Sequence, residues 1–127
     1  MEFTFNNKSS RDFNIKIKKS NHLSIPRRKL EFIEVQGKTD SLIIDEGARE
    51  MLDLEIEAYI DCRDLNTKAY ALRLDNWLNN TNGYTDLVFD DNTTLKAIFV
   101  GQIDFNEIVG NFNEILLQFK AYREVDL

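Results

Sequence analysis

Carboxylates are the most abundant ionisable groups in this sequence, 22 Asp and Glu against 16 Lys and Arg, beside one histidine and one cysteine. Asp53, Glu55 and Glu57 recur at every second residue and share one face of an extended stretch. General acid catalysis needs a carboxyl kept protonated by burial or by a like charge. Three carboxylates on an open strand face instead solvate or pair with cations on a neighbouring strand or subunit. His22 and Cys62 together fall short of the four soft or nitrogen ligands of a structural zinc site. No complete acidic loop with a central Gly and closing Glu offers a calcium cradle. Ser9, Ser10, Ser20 and Ser24 lack the glycine-framed elbow that exposes a nucleophile, and nothing assigns an acid to orient His22, which reads as a loop residue. Asp61 and Asp64 flank Cys62 and disfavour a thiolate, leaving the cysteine as a small buried residue. Lys38-Thr39 lacks the glycine spacing of a phosphate loop. The expectation is therefore no catalytic residue, no cofactor site, no metal site and no enzyme.

Charge is unevenly distributed. Residues 1–40 hold nine Lys or Arg against five Asp or Glu, a balance of +4, while residues 41–127 hold seven against seventeen, a balance of -10. An acidic surface of that extent repels a phosphate backbone, so specific nucleic-acid binding is not expected. The local cluster Arg27-Arg28-Lys29, with Lys18-Lys19 upstream, reads as an interface or solvated patch. No apolar run approaches the roughly 20 residues of a bilayer crossing, and Met1-Glu2-Phe3-Thr4-Phe5 alternates where a secretion signal would be uniformly apolar. A lone cysteine excludes an internal disulfide and leaves the compartment open.

These groups must be positioned by one domain spanning residues 1–127, since a chain of this length has material for a single sizeable core. Alternation predicts strands over 2–6, 13–18, 30–36 and 51–61, with Asn7–Ser10 as a turn and Pro26 ahead of its ladder. A short apolar run, Leu42-Ile43-Ile44, follows the turn signal at Gly37. A helix is expected near 65–80, capped by Asp64 and closed by Asn82-Gly83, its stripe drawn from Leu65, Ala69, Leu72 and Trp77 with Leu74 and Leu78. Strands return over 85–89, 94–101 and 115–122, the first two joined at Asp90-Asp91-Asn92, while Ile103, Phe105 and Ile108-Val109 precede a break at Gly110-Asn111. The fold class that accounts for this is α+β, mainly β: a mixed, largely antiparallel, sandwich-like sheet with one packed helix. Its core is expected to contain Phe13, Leu54, Ile56, Leu72, Trp77, Phe89 and Phe119.

Phe32, Ile33, Val35, Leu42, Ile43 and Ile44 crowd around Gly37 more densely than an exposed loop requires. Either they enter the intramolecular core, or they form a projecting hairpin or belt whose apolar faces are completed by another subunit, with charges setting the register at the rim.

Several segments carry a family resemblance: Phe3-Thr4-Phe5-Asn6 followed by Ser9-Ser10 and Asp12-Phe13; the basic lead from Arg27-Arg28-Lys29 into Glu34-Val35-Gln36-Gly37; the helix followed by Gly83, Leu87, Phe89 and Gly101; and the finish Leu117-Gln118-Phe119-Lys120-Ala121. In this order they resemble the N-terminal, ring-forming domain of the distal tail proteins of long-tailed bacteriophages and prophages, over nearly the whole chain. Asp40-Ser41 stands where that family usually has a second glycine after the turn. The resemblance implies a structural protein of the virion tail, assembled in the host cytoplasm. It would form a hexameric hub ring that joins the tail tube to the tail tip or baseplate and lets DNA through. It places ring contacts at Arg27, Arg28, Lys29, Glu31, Ile33, Val35, Gly37, Leu42 and Ile44, and at Glu55 and Glu57 along 51–60. The outward carbohydrate-binding-like domain of many family members has no counterpart in these residues. The alternatives are a monomeric tail-assembly accessory or adaptor and a small glycan-binding sheet domain, the latter marked by a deep aromatic pocket including Trp77 or Tyr84.

Overall fold

The computed structural model describes residues 1–63, 66–104 and 112–123. The expectations for Asp64, Leu65, Phe105, Ile108-Val109 and Gly110-Asn111 lie outside the described residues.

Among the described residues nine strands and one α-helix follow one another: β1 Phe3–Phe5, β2 Lys8–Ser9, β3 Ile15–Ser20, β4 Arg28–Ile33, β5 Leu42–Arg49, β6 Leu52–Asp61, α1 Thr67–Asn79, β7 Thr85–Phe89, β8 Thr94–Phe99 and β9 Phe112–Tyr122. Seven strands form one sheet in the order β2-β1-β7-β8-β9-β6-β3, and β4 and β5 form a separate two-stranded ribbon. Every pairing among the described strands is antiparallel. The architecture is thus α+β and mainly β, a sandwich-like antiparallel sheet with one packed helix and a projecting hairpin.

One face of the sheet is apolar because its strands alternate strictly. In β6, Leu52, Leu54, Ile56, Ala58 and Ile60 are buried, and β9 buries Ile115, Leu117, Phe119 and Ala121 in register with them. β7 and β8 continue that face with Leu87, Phe89, Leu95, Ala97 and Phe99. The sheet curls around this face. The rings of Phe5 in β1 and Phe119 in β9 have centroids 5.1 Å apart with two strands between them in the ladder, whereas a flat sheet would separate those strands by about 14 Å.

Helix α1 closes the open side of the curl. Its buried residues are Tyr70, Leu74, Trp77 and Leu78, a one-sided helical repeat. Trp77, 2% exposed, stacks on Phe13 at 4.2 Å and 9° and meets Phe3 and Phe5. Its indole N–H donates to the Phe5 carbonyl at 2.6 Å, and the Tyr70 hydroxyl donates to the Phe13 carbonyl at 2.6 Å. Both polar tips are therefore satisfied as their rings enter the core.

Four sequence expectations need correction. Leu72 is 63% exposed and not part of the core, and Ala69 is exposed with it. Two residues on from Tyr70 a helix has turned by about 200°, so Leu72 points away from the sheet. The observed cap is Asn66, whose side chain accepts from the Ala69 N–H at 3.2 Å. The first turn lies at Asn6-Asn7, both with positive φ (49° and 64°), and Lys8-Ser9 pair back onto β1. Two central residues in the left-handed region make the tight hairpin turn that Asn tolerates. Phe13 is buried, but it ends a short 3-10 helix, Ser10–Phe13, ahead of β3. Ser10 is spent on structure: its oxygen accepts from the Phe3 N–H at 3.2 Å.

Replacing Trp77 by Ala is expected to cost about 3–5 kcal/mol of unfolding free energy, and Leu72 by Ala no more than about 0.5 kcal/mol. Equal losses in chemical denaturation would overturn the assigned helix face.

Candidate interaction surface

The ribbon β4–β5 stands apart from the interior. Pro26, with no N–H to offer a ladder, lies in the preceding loop, and β4 begins two residues later at Arg28. Direct partners are Leu30 with Asp45, Glu31 with Ile44, Phe32 with Ile43, and Ile33 with Leu42. Cross-strand partners share a face. One face therefore shows Leu30, Phe32 and Ile43, and the other Ile33, Leu42 and Ile44. Apart from half-buried Leu30 these side chains are exposed, Phe32 to 63% and Ile43 to 58%. The tip is a turn in which the Lys38 N–H donates to the Val35 carbonyl at 3.1 Å and Gly37 takes φ +84°, a conformation that glycine adopts without the steric cost of a Cβ.

The root of the ribbon is fixed more firmly than its length. β5 runs to Arg49, well beyond the expected apolar run, through a bulge in which residues 46–48 oppose the single Lys29. Gly47 sits at φ +73° and its N–H donates to Asp45 Oδ1 at 2.9 Å. That bond, followed by the paired Arg28 guanidinium, lowers the Asp45 pKa. Extra residues on one strand bend and twist a ribbon, so the bulge sets the angle at which the arm leaves the body. On the other side of the root Asn21 brackets β6: its amide nitrogen donates to the Asp53 carbonyl at 3.0 Å and its amide oxygen accepts from the Glu55 N–H at 2.8 Å. His22 does lie in a loop, yet it is 2% exposed. It stacks on Phe89 at 3.9 Å, with Nε2 2.8 Å from Asp91 Oδ2 and Nδ1 2.9 Å from Ser20 Oγ. The loop entering the arm is thereby tied to the β7–β8 turn.

A cleft of about 850 Å³ opens between this root and the end of the sheet, with Ile25, Pro26, Met51 and Tyr122 among its apolar lining and Arg49 and Arg123 among its charged lining. Tyr84 extends the aromatic wall, packing edge-on against Tyr122 at 5.2 Å with its hydroxyl 3.4 Å from Met51 Sδ. Trp77 belongs to the core and is not part of the lining of this cleft.

The residues singled out from the sequence fall into two groups. Arg27, Arg28, Lys29, Glu31, Ile33, Val35, Gly37, Leu42 and Ile44 all lie exposed along the arm or at its root, with Gly37 at the tip. Glu55 and Glu57 lie on the outer face of β6 in the body sheet, where Lys19 is the β3 partner of Glu57. On the same face Asp53 pairs with Lys120, and Lys18 lies 3.6 Å from Glu114. Phe32 and Ile43, the most exposed large apolar side chains of the ribbon, stand on the face opposite Ile33 and Ile44. Their alternation with the chosen positions is the signal that would have added them. Among the described residues no three His, Cys, Asp or Glu side chains converge as metal ligands. Cys62 is half-buried, and burial first, then the Asp61 charge, raises its pKa.

No family model matches this chain, and no curated protein matches its sequence. Its fold is that of part of a solved structure: the crystal structure of SPP1 Dit (gp 19.1), described there as a paradigm of the hub adsorption apparatus in phages that infect Gram-positive hosts, superposes with a TM-score of 0.71 at 16% identity over 94% of this chain. The chain spans 48% of that protein. At this identity the likeness is one of fold.

The His22 bond, followed by bonds from Thr93, lowers the Asp91 pKa to about 2 from 3.8. A depressed carboxyl contributes stability above its unfolded pKa and loses it as pH falls through the folded value. Asp91→Asn is therefore expected to lower the melting temperature at neutral pH, with the gap from the parent closing between about pH 4 and pH 2. A gap constant across that window would remove the latch from the account.

Proposed function

We propose that this chain is a structural component of a phage tail tip or baseplate, the ring-building part of a distal tail protein. Six copies close into a hub that joins the tail tube to the tip and leaves a bore for DNA. The observation that carries this reading is the arm: a ribbon rooted by a bulge, an asparagine bracket and a histidine latch, yet with large apolar side chains exposed on both faces. An isolated two-stranded ribbon is marginal in water, and apolar surface of this density on a soluble domain marks an interaction site. A neighbouring copy supplies the missing layer. Arg27, Arg28, Lys29 and Glu31 then lie at the rim of that contact, Ile33, Val35, Leu42 and Ile44 within it, and Glu55 and Glu57 meet the neighbour from the body sheet.

The fold shared with SPP1 Dit supports a place in the virion tail, reached by assembly in the host cytoplasm. The balance of -10 over residues 41–127 supports a conduit that does not retain nucleic acid, since acidic walls repel phosphates.

Light scattering coupled to size exclusion tests the ring. The expected mass at high concentration is near six times 14.9 kDa. The double variant Phe32→Asp, Ile43→Asp is expected to elute at the mass of one chain with an unchanged far-ultraviolet spectrum. A parent chain that stays at one-chain mass at every concentration and salt would refute autonomous ring formation.

A further inference from the structure

Assembly of the arm needs a receiving surface, and the root cleft offers an apolar lining and a charge balance opposite to that of the tip. The Val35–Lys38 turn caps the ribbon, with Phe32, Ile33, Leu42 and Ile43 immediately behind it. From Glu31 to Ser41 the tip holds Glu31, Glu34 and Asp40 against Lys38, a balance of -2. The cleft is lined by Arg28, Arg49 and Arg123 against Asp45 and Glu50, a balance of +1, over an apolar floor. Its volume of about 850 Å³ lies in the range that encloses a compact apolar group of several side chains. The signs are opposite, and each surface combines apolar and charged groups.

The tip cannot fill the cleft of its own chain. Arg28 lies at the cleft and Gly37 at the tip, and nine residues of extended chain reach about 30 Å. The extended pairing of β4 and β5 therefore keeps the two ends of the ribbon apart. A contact between unlike surfaces at opposite ends of one arm is heterologous and repeats head to tail, and such a contact closes into a ring when the rotation between copies permits.

We propose that the root cleft is the receptor for the hairpin tip of a second copy of this chain. The Val35–Lys38 turn enters between Pro26, Met51 and Tyr122, and Glu34 and Asp40 meet Arg49 and Arg123 at the rim. This assignment rests on the reading of the arm as an assembly element. It adds the cleft, as the surface that receives the tip, to the contact made by Glu55 and Glu57 on the outer sheet face.

Engineered disulfides test the contact in the full chain. In a Cys62→Ser background, Gln36→Cys is introduced at the tip and Ala48→Cys in the cleft wall, together and as separate single variants. A disulfide requires the two Cα atoms to approach within about 7 Å. The expected result is a ladder of covalent multimers after oxidation of the double variant, ending at the assembled mass. A mixture of the two single variants should give a dimer joining one chain of each kind. An assembly of normal mass that yields neither product would overturn the cleft as receptor while leaving the ring intact. A chain that remains at one-chain mass without cross-links would overturn both.

Discussion

The fold depends on one closure: the curled sheet has a single apolar interior, and Trp77 seals it. The indole stacks on Phe13, reaches Phe3 and Phe5 of β1, and gives its N–H to the Phe5 carbonyl. Tyr70 repeats the arrangement about two turns earlier by donating to the Phe13 carbonyl. The helix is thus fastened to the segment where the chain passes from β1 through the 3-10 helix toward β3. Because β1 and β3 belong to opposite ends of the sheet order, fastening their connection also holds the curl. Aromatic burial and satisfied backbone acceptors act here at the same residues.

That interior has no place for β4 and β5. Once β6 and β9 have paired along ten positions, from Leu52–Ala121 to Asp61–Phe112, the apolar face is complete and the hairpin between β3 and β6 is left outside it. What the body does provide is a fixed root. The Asn21 amide stands in for a strand partner beside Asp53 and Glu55, His22 is clamped between Phe89 and Asp91, and the Gly47 bulge bends the outgoing ribbon. Fixing the root reduces the entropy that docking of the arm, as proposed, would cost, which is the general benefit of preorganisation.

Much of the body was legible because its strands alternate over many residues. β7 was placed at Thr85–Phe89 from pattern alone, and the buried and exposed positions of β6 follow the period of two. The helix was found but its phase was misread, since Leu72 competes with Tyr70 for the apolar stripe and only the Phe13 carbonyl, remote in sequence, decides between them. The arm was legible as a concentration of apolar residues around Gly37. Its true length is hidden, because the bulge around Gly47 and the charged residues that follow Ile44 continue β5 without an apolar alternation. The root cleft left no local signal: Pro26, Met51 and Tyr122 are brought together only by the fold.

The central claim is that the arm is covered by another copy and not by its own body. Hydrogen exchange of the ribbon amides at two protein concentrations tests it most directly. The account predicts that amides of Leu30–Ile33 and Leu42–Asp45 exchange quickly in dilute protein and become protected on concentration, while those of β6 and β9 are protected throughout. Protection of the ribbon that does not change with dilution would mean that the chain covers its own arm, and would contradict the account.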